Sequence, residues 1–118
     1  MIDDVYEIEV YTRDDDTEPF TDWLQNIKDQ KLQRTVLLRI QRMRLGNLGD
    51  SKSLRGAHGI YELRIDFGPG FRVYFAKVDK KLILLLGGGN KASQEKDIVR
   101  CTKYWLAYKE KVDNEKKS

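Results

Sequence analysis

The chain is short of the residues that most often carry chemistry on their own. Of its 118 residues, one is a cysteine and one a histidine. A lone Cys101 forms no internal disulfide and fits a reducing compartment; its place on an apolar helical stripe reads as a buried structural thiol. His58 and Cys101 cannot make up a structural zinc site, which takes four ligands. No apolar run approaches the roughly 20 residues of a membrane span, and the acidic start MIDDVYEIEV has no signal-peptide layout, so a cytoplasmic location is expected. The glycines at 87–89 follow neither the GxGxxG pattern nor the P-loop pattern, which gives no reason to expect a bound nucleotide.

What is present is charge, unevenly placed. The net charge is +3. Residues 1–29 hold ten acids against Arg13 and Lys28, a net of −8, whereas residues 30–118 hold 20 bases against nine acids, a net of +11. A basic body of this kind points to a polyanionic partner, and nucleic acid is the commonest. With 40% apolar residues the length suits one domain spanning 1–118, with 110–118 expected to be a frayed, charged tail.

Elements follow from periodicity. Val5–Tyr11 alternates as a strand with an acid-bearing outer face, suited to a sheet edge. Thr17 is placed to cap a helix that opens with Glu18 and Pro19 and buries Phe20, Trp23, Leu24 and Ile27. A second helix, about 31–45, sets Leu32, Val36, Ile40 and Met43 inward, with Leu37 beside them, and projects Arg34, Arg39, Arg42 and Arg44. Its arginines read either as a solvated face or as a contact for a polyanion. A loop over 46–59 contains Lys52, Arg55 and His58.

The most informative stretch is GIYELRIDFGPGFRVYFAKVDKKLILLLGGGNK, from Gly59 to Lys91. It reads as three strands, the last ending at the glycines. Tyr61, Leu63, Ile65 and Phe67 alternate with Glu62, Arg64 and Asp66, and Phe71, Val73 and Phe75 alternate with Arg72 and Tyr74. A three-residue loop at 68–70 would pair Phe67 with Phe71, Asp66 with Arg72, Arg64 with Tyr74 and Glu62 with Ala76. One face is then apolar and covered by the helices, while the other is charged, either simply solvated or a site. A last helix from about 90–93 carries Ile98, Cys101, Trp105 and Tyr108. The expected fold is α+β, β-α-α-β-β-β-α, with a small, mainly antiparallel sheet of four strands.

That order, together with YELRIDFGPGFRVYF, KLILLLGGGNK and QEKDI before KYW, resembles the RelE/ParE superfamily of bacterial toxins, and within it the Gp49-like, HigB-related addiction-module killer group. The resemblance covers residues 5–108. It implies a toxin of a type II toxin–antitoxin pair that acts as a ribosome-dependent mRNA endoribonuclease without a metal. Its cognate antitoxin would be a small helix-turn-helix DNA-binding protein. ParE-like members of the fold inhibit DNA gyrase instead, and a non-toxic RNA-binding domain is a third option.

By the resemblance, Arg72 matches the strand arginine set near the scissile phosphate. Arg55 matches a basic position before a loop glycine, Lys91 the basic position after the last strand, and Arg64 the arginine of the Gp49-like group. The C-terminal His-Tyr pair of YoeB-like members is absent. In such a mechanism Arg72, Arg64 and Lys91 would stabilise a phosphorane. Glu62 and His58 are candidate bases, and equally an ion-pair partner and a loop hydrogen-bonding group. Lys52, Arg55, Arg42 and Tyr74 are candidates for contacting RNA. No cofactor is implied.

Overall fold

In a computed structural model of the chain, which describes residues 5–68 and 70–117, a single five-stranded sheet is covered by helices on both faces. The elements in order are β1 (Glu7–Val10), α1 (Pro19–Gln25), α2 (Gln30–Arg44), β2 (Ser51–Ser53), β3 (Ile60–Ile65), β4 (Phe71–Lys77), β5 (Leu82–Asn90) and α3 (Gln94–Lys117). The strand order is β1-β5-β4-β3-β2, with β1 parallel to β5 and the other pairs antiparallel. The α+β class holds. The expected four strands are five, because part of the 46–59 loop forms β2 against β3. β1 is an edge strand with Glu7 and Glu9 exposed, as its alternation implied.

The β3–β4 register differs from the expected one by two residues. Ile65 pairs with Phe71, Arg64 with Arg72, Leu63 with Val73 and Glu62 with Tyr74. The connection therefore spans 66–70, and both Asp66 and Phe67 lie in it, exposed. Asp66 does not pair with Arg72. A shift of two keeps every side chain on its face, so the alternation specified the faces but not the register. Pro69 of this turn lies outside the described residues.

On one face α1 and α2 close an apolar core: Phe20, Val36, Ile40 and Met43 meet Leu63, Ile65, Val73, Phe75, Ile83 and Leu85. Asp29 caps α2, its Oδ1 accepting the Lys31 N–H at 2.9 Å. At α1 the N-cap position falls on Glu18, and the Thr17 hydroxyl instead donates to Asp15 at 2.6 Å, so Thr17 is not the cap.

On the other face α3 covers Ile60, Tyr74, Ala76, Leu84 and Leu86 with Cys101 and Trp105. The helix runs for 24 residues, so the expected tail at 110–117 is its last turns. No helix of the described residues is long and apolar enough to cross a membrane.

The glycine run does not end β5; it continues the strand to Asn90. Its glycines are set by close approach of both helical layers. A Cβ on Gly88 would stand 2.2 Å from Trp23 Cε3, and one on Gly89 would stand 1.9 Å from Asp97 Oδ2. A register irregularity at Tyr74/Phe75 places Leu86 and Gly87 in succession toward α3, with Cys101 Sγ only 2.9 Å from where a Gly87 Cβ would be.

Candidate functional site

The α3-facing side of the sheet is where charge is concentrated. The backbone ladder places Lys52 of β2 opposite Glu62 of β3, and Glu62 opposite Tyr74 of β4. One row along, Arg64 lies opposite Arg72, and Arg72 opposite Gly89 of β5. Two like charges directly across a strand pair repel unless each has a partner. Both have one: Arg64 Nε is 3.3 Å from Asp50 Oδ2, and Arg72 Nη1 is 3.1 Å from Glu62 Oε1.

The two pairs differ in environment. The Arg64 side chain is 43% exposed, whereas that of Arg72 is 13% exposed and that of Glu62 is fully buried. The surface pair is weak and easily exchanged for another anion. The buried pair is fixed, and Gln94 at the start of α3 fixes it further, its Nε2 donating to Glu62 Oε1 at 2.6 Å. Three buried atoms of this cluster nonetheless have no hydrogen-bond partner: Glu62 Oε2, Arg72 Nε and the Tyr74 hydroxyl. Buried polar atoms are usually satisfied, and each exception costs stability. Burial, reinforced by the nearby Glu62 and Asp97 carboxylates, drives the Tyr74 phenol far above its ordinary range.

The start of α3 is built as a cap. The Asn90 Oδ1 accepts the Ser93 N–H at 3.0 Å, and the Ser93 hydroxyl donates to Asp97 Oδ2 at 2.5 Å. Arg100 Nη1 stands 3.7 Å from Asp97 Oδ1. These groups seat the helix on Gly89 and so deliver Gln94 to Glu62. Behind them, burial and Asp97 push the Cys101 thiol up to about 12, as expected of a structural thiol.

The structure brings together only part of the residue set expected from the sequence. Arg64, Arg72, Glu62 and Lys52 share one region of one face. Lys91 follows β5 directly, two residues beyond the Gly89 that pairs with Arg72, and is exposed. Arg55 and His58 lie at the opposite end of β3 from Arg64, in the turns before Ile60, and the strand from Ile60 to Arg64 alone runs about 13 Å. His58 has a left-handed backbone, φ 57°, and its carbonyl accepts the Trp105 Nε1–H at 2.9 Å, which anchors the turn rather than the site.

Tyr74 is sealed beneath α3 and presents no ring face to a base. Arg42 is on α2, beyond the opposite face of the sheet. Asp50 and Gln94 belong to the site and carry no local signal in the sequence: the Gln94–Glu62 contact joins residues 32 positions apart.

Chemically, the region offers two arginines side by side, one rigid and one available, with two lysines at the margin. Such a set has the charge and the donor geometry to hold a phosphate.

Comparison with known proteins gives one relationship. No family model matches the chain, and no solved structure matches it. An uncharacterized protein of Haemophilus influenzae is 44% identical over 79 residues, which is 67% of this chain and 78% of the relative. The chain belongs to the same family as that Haemophilus influenzae protein.

Proposed function

We propose that the chain is the toxin of a type II toxin–antitoxin pair, of the RelE/ParE type it resembles, and that it cuts mRNA on the ribosome in the cytoplasm. The observation that carries this reading is the Arg64–Arg72 juxtaposition on adjacent strands, flanked by Lys52 and Lys91.

In the proposed reaction an RNA 2′-hydroxyl attacks the adjacent phosphorus. The 2′ proton passes to water, the P–O5′ bond breaks and the departing 5′-oxygen takes a proton from water, leaving a 2′,3′-cyclic phosphate and a 5′-hydroxyl. Arg72, held by Glu62 and Gln94, meets the negative charge that grows on the non-bridging oxygens. Arg64 exchanges Asp50 for the phosphate. A preorganised donor of this kind is worth roughly 10²–10³ in rate. Glu62 serves here as a positioning residue, since its Oε1 is already held by Arg72 and Gln94. A cognate antitoxin, of the helix-turn-helix type, would hold the toxin inactive.

One observation favours a second reading, inhibition of DNA gyrase by binding alone. Of the residues weighed for a chemical role, Glu62 and Tyr74 are buried and His58 sits at the far end of β3, so none of the three is free beside the arginines.

Inducing the chain in bacterial cells and mapping mRNA 5′ ends separates the two. The leading reading expects cuts within translated frames that vanish when translation is blocked. It also expects Arg64→Ala, an exposed substitution, to lower cleavage by about 10² while the protein accumulates normally. Growth arrest with intact mRNA and trapped cleaved DNA would move the assignment to gyrase. Full cleavage by Arg64→Ala would remove this site from the mechanism.

A further inference from the structure

The second helix carries a feature that the proposed activity does not use. α2, QKLQRTVLLRIQRMR, holds Lys31, Arg34, Arg39, Arg42 and Arg44 and no acid at all. None of these five cations forms an ion pair among the described residues, where the pairs fall on Arg64, Arg72 and Arg100. The helix buries Val36, Ile40 and Met43 against the sheet. On the opposite side, Leu37 and Leu38, with Leu45 at the C-cap, are 46%, 52% and 50% exposed.

At 100° per residue, Leu37, Gln41, Arg34, Leu45, Leu38, Lys31 and Arg42 fall in that order within one arc of about 140°. Leucines and cations therefore share a single exposed face. Val5, 50% exposed, continues the apolar patch past the C-terminal end of the helix, where its side chain approaches Gly46.

We infer that the outer face of α2 is a docking surface for an acidic amphipathic helix of a partner protein. Cations with no ion-pair partner among the described residues favour an anionic partner. The leucines choose its class: a phosphate backbone has no apolar surface to lay against three half-exposed leucines, whereas a helix with one apolar stripe edged by Asp and Glu covers both. The surface is on the far side of the sheet from Arg64 and Arg72, so the inference stands whether or not the chain cleaves RNA.

The full chain, immobilised, is used to select from a displayed library of helical peptides with one apolar stripe and randomised flanks. Selected peptides are then measured by fluorescence anisotropy. Peptides with Asp or Glu beside the stripe are expected to be enriched, and to lose affinity by about tenfold or more with either Leu38→Ser or Arg34→Glu. Circular dichroism of both variants checks that these exposed changes leave the fold intact.

Three results would overturn the inference: no enrichment over a Leu38→Ser/Leu45→Ser counter-target, selection of basic peptides, or binding indifferent to Leu38→Ser. Single-stranded RNA and anionic vesicles are run against the same variants. If either binds through Arg34 with no contribution from Leu38, the face is a polyanion or lipid surface and not a protein-docking one.

Discussion

The two faces of the sheet are closed by different means. Beneath α1 and α2 the contact is apolar throughout, from Phe20 and Met43 to Phe75 and Ile83. Beneath α3 the core is apolar around Trp105, Leu84 and Ala76, but toward the start of the helix it holds Glu62, Arg72, Tyr74 and Asp97. The first face obtains its stability from area removed from water. The second gives up some of that to bury a charged pair, which is worth less than well-packed hydrocarbon and strongly penalises loss of either member. The face that is poorer for folding is the one that presents two adjacent arginines, the site of the proposed activity.

This contrast can be broken from either side. Phe75→Ala, on the apolar face, removes a fully buried ring and is expected to cost about 4 kcal/mol, with a urea midpoint that falls at unchanged slope. Such a loss approaches the whole stability of a domain at the low end of the usual range, about 5 kcal/mol. On the polar face Glu62→Leu strands Arg72 and is expected to cost about 3 kcal/mol. The double change Glu62→Leu with Arg72→Met is expected to recover nearly all of that loss while abolishing the proposed cleavage. A double variant no more stable than Glu62→Leu would show that the pair is structural in its own right.

Gly88→Ala tests the close approach of α1, where the added Cβ would stand 2.2 Å from Trp23. The rigid indole must move, and a loss of about 2 kcal/mol is expected from the same unfolding measurement.

The smallest effect is expected at Tyr74. Its hydroxyl has no partner, so Tyr74→Phe is expected to change stability at neutral pH by less than about 1 kcal/mol. The pH profile sharpens this. Burial raises the Tyr74 phenol above its ordinary value of 10.0, so the folded state keeps a proton that the unfolded chain releases. The stabilisation is present below about pH 10 and is lost as the pH rises beyond it; Tyr74→Phe is expected to flatten that decline. Tyr11, Tyr108 and Cys101, also raised by burial, leave a residual slope. A profile unchanged by the substitution would mean that the phenol is not sealed.

Local pattern alone determined much of this protein. The 3.6-residue spacing of Leu32, Val36, Ile40 and Met43 placed α2 and its buried face, and strict alternation in YELRI and FRVYF sorted β3 and β4 into two sides. It also put Arg64 and Arg72 on one side, because side-chain parity survives a register change of two.

Only tertiary structure decided the rest. The register depends on turn closure and on what each pair meets across the sheet, so Asp66 went to the loop and Arg72 found Glu62. Glycines 87–89 read as a chain break until Trp23 and Asp97 are seen to press on them from opposite faces. Tyr74 read as surface until α3 covered it, and Gln94 and Asp50 joined the site through contacts between strands, loop and helix that no periodicity encodes. Periodicity is a property of neighbours along the chain; burial, pairing and charge compensation belong to groups that meet only after folding.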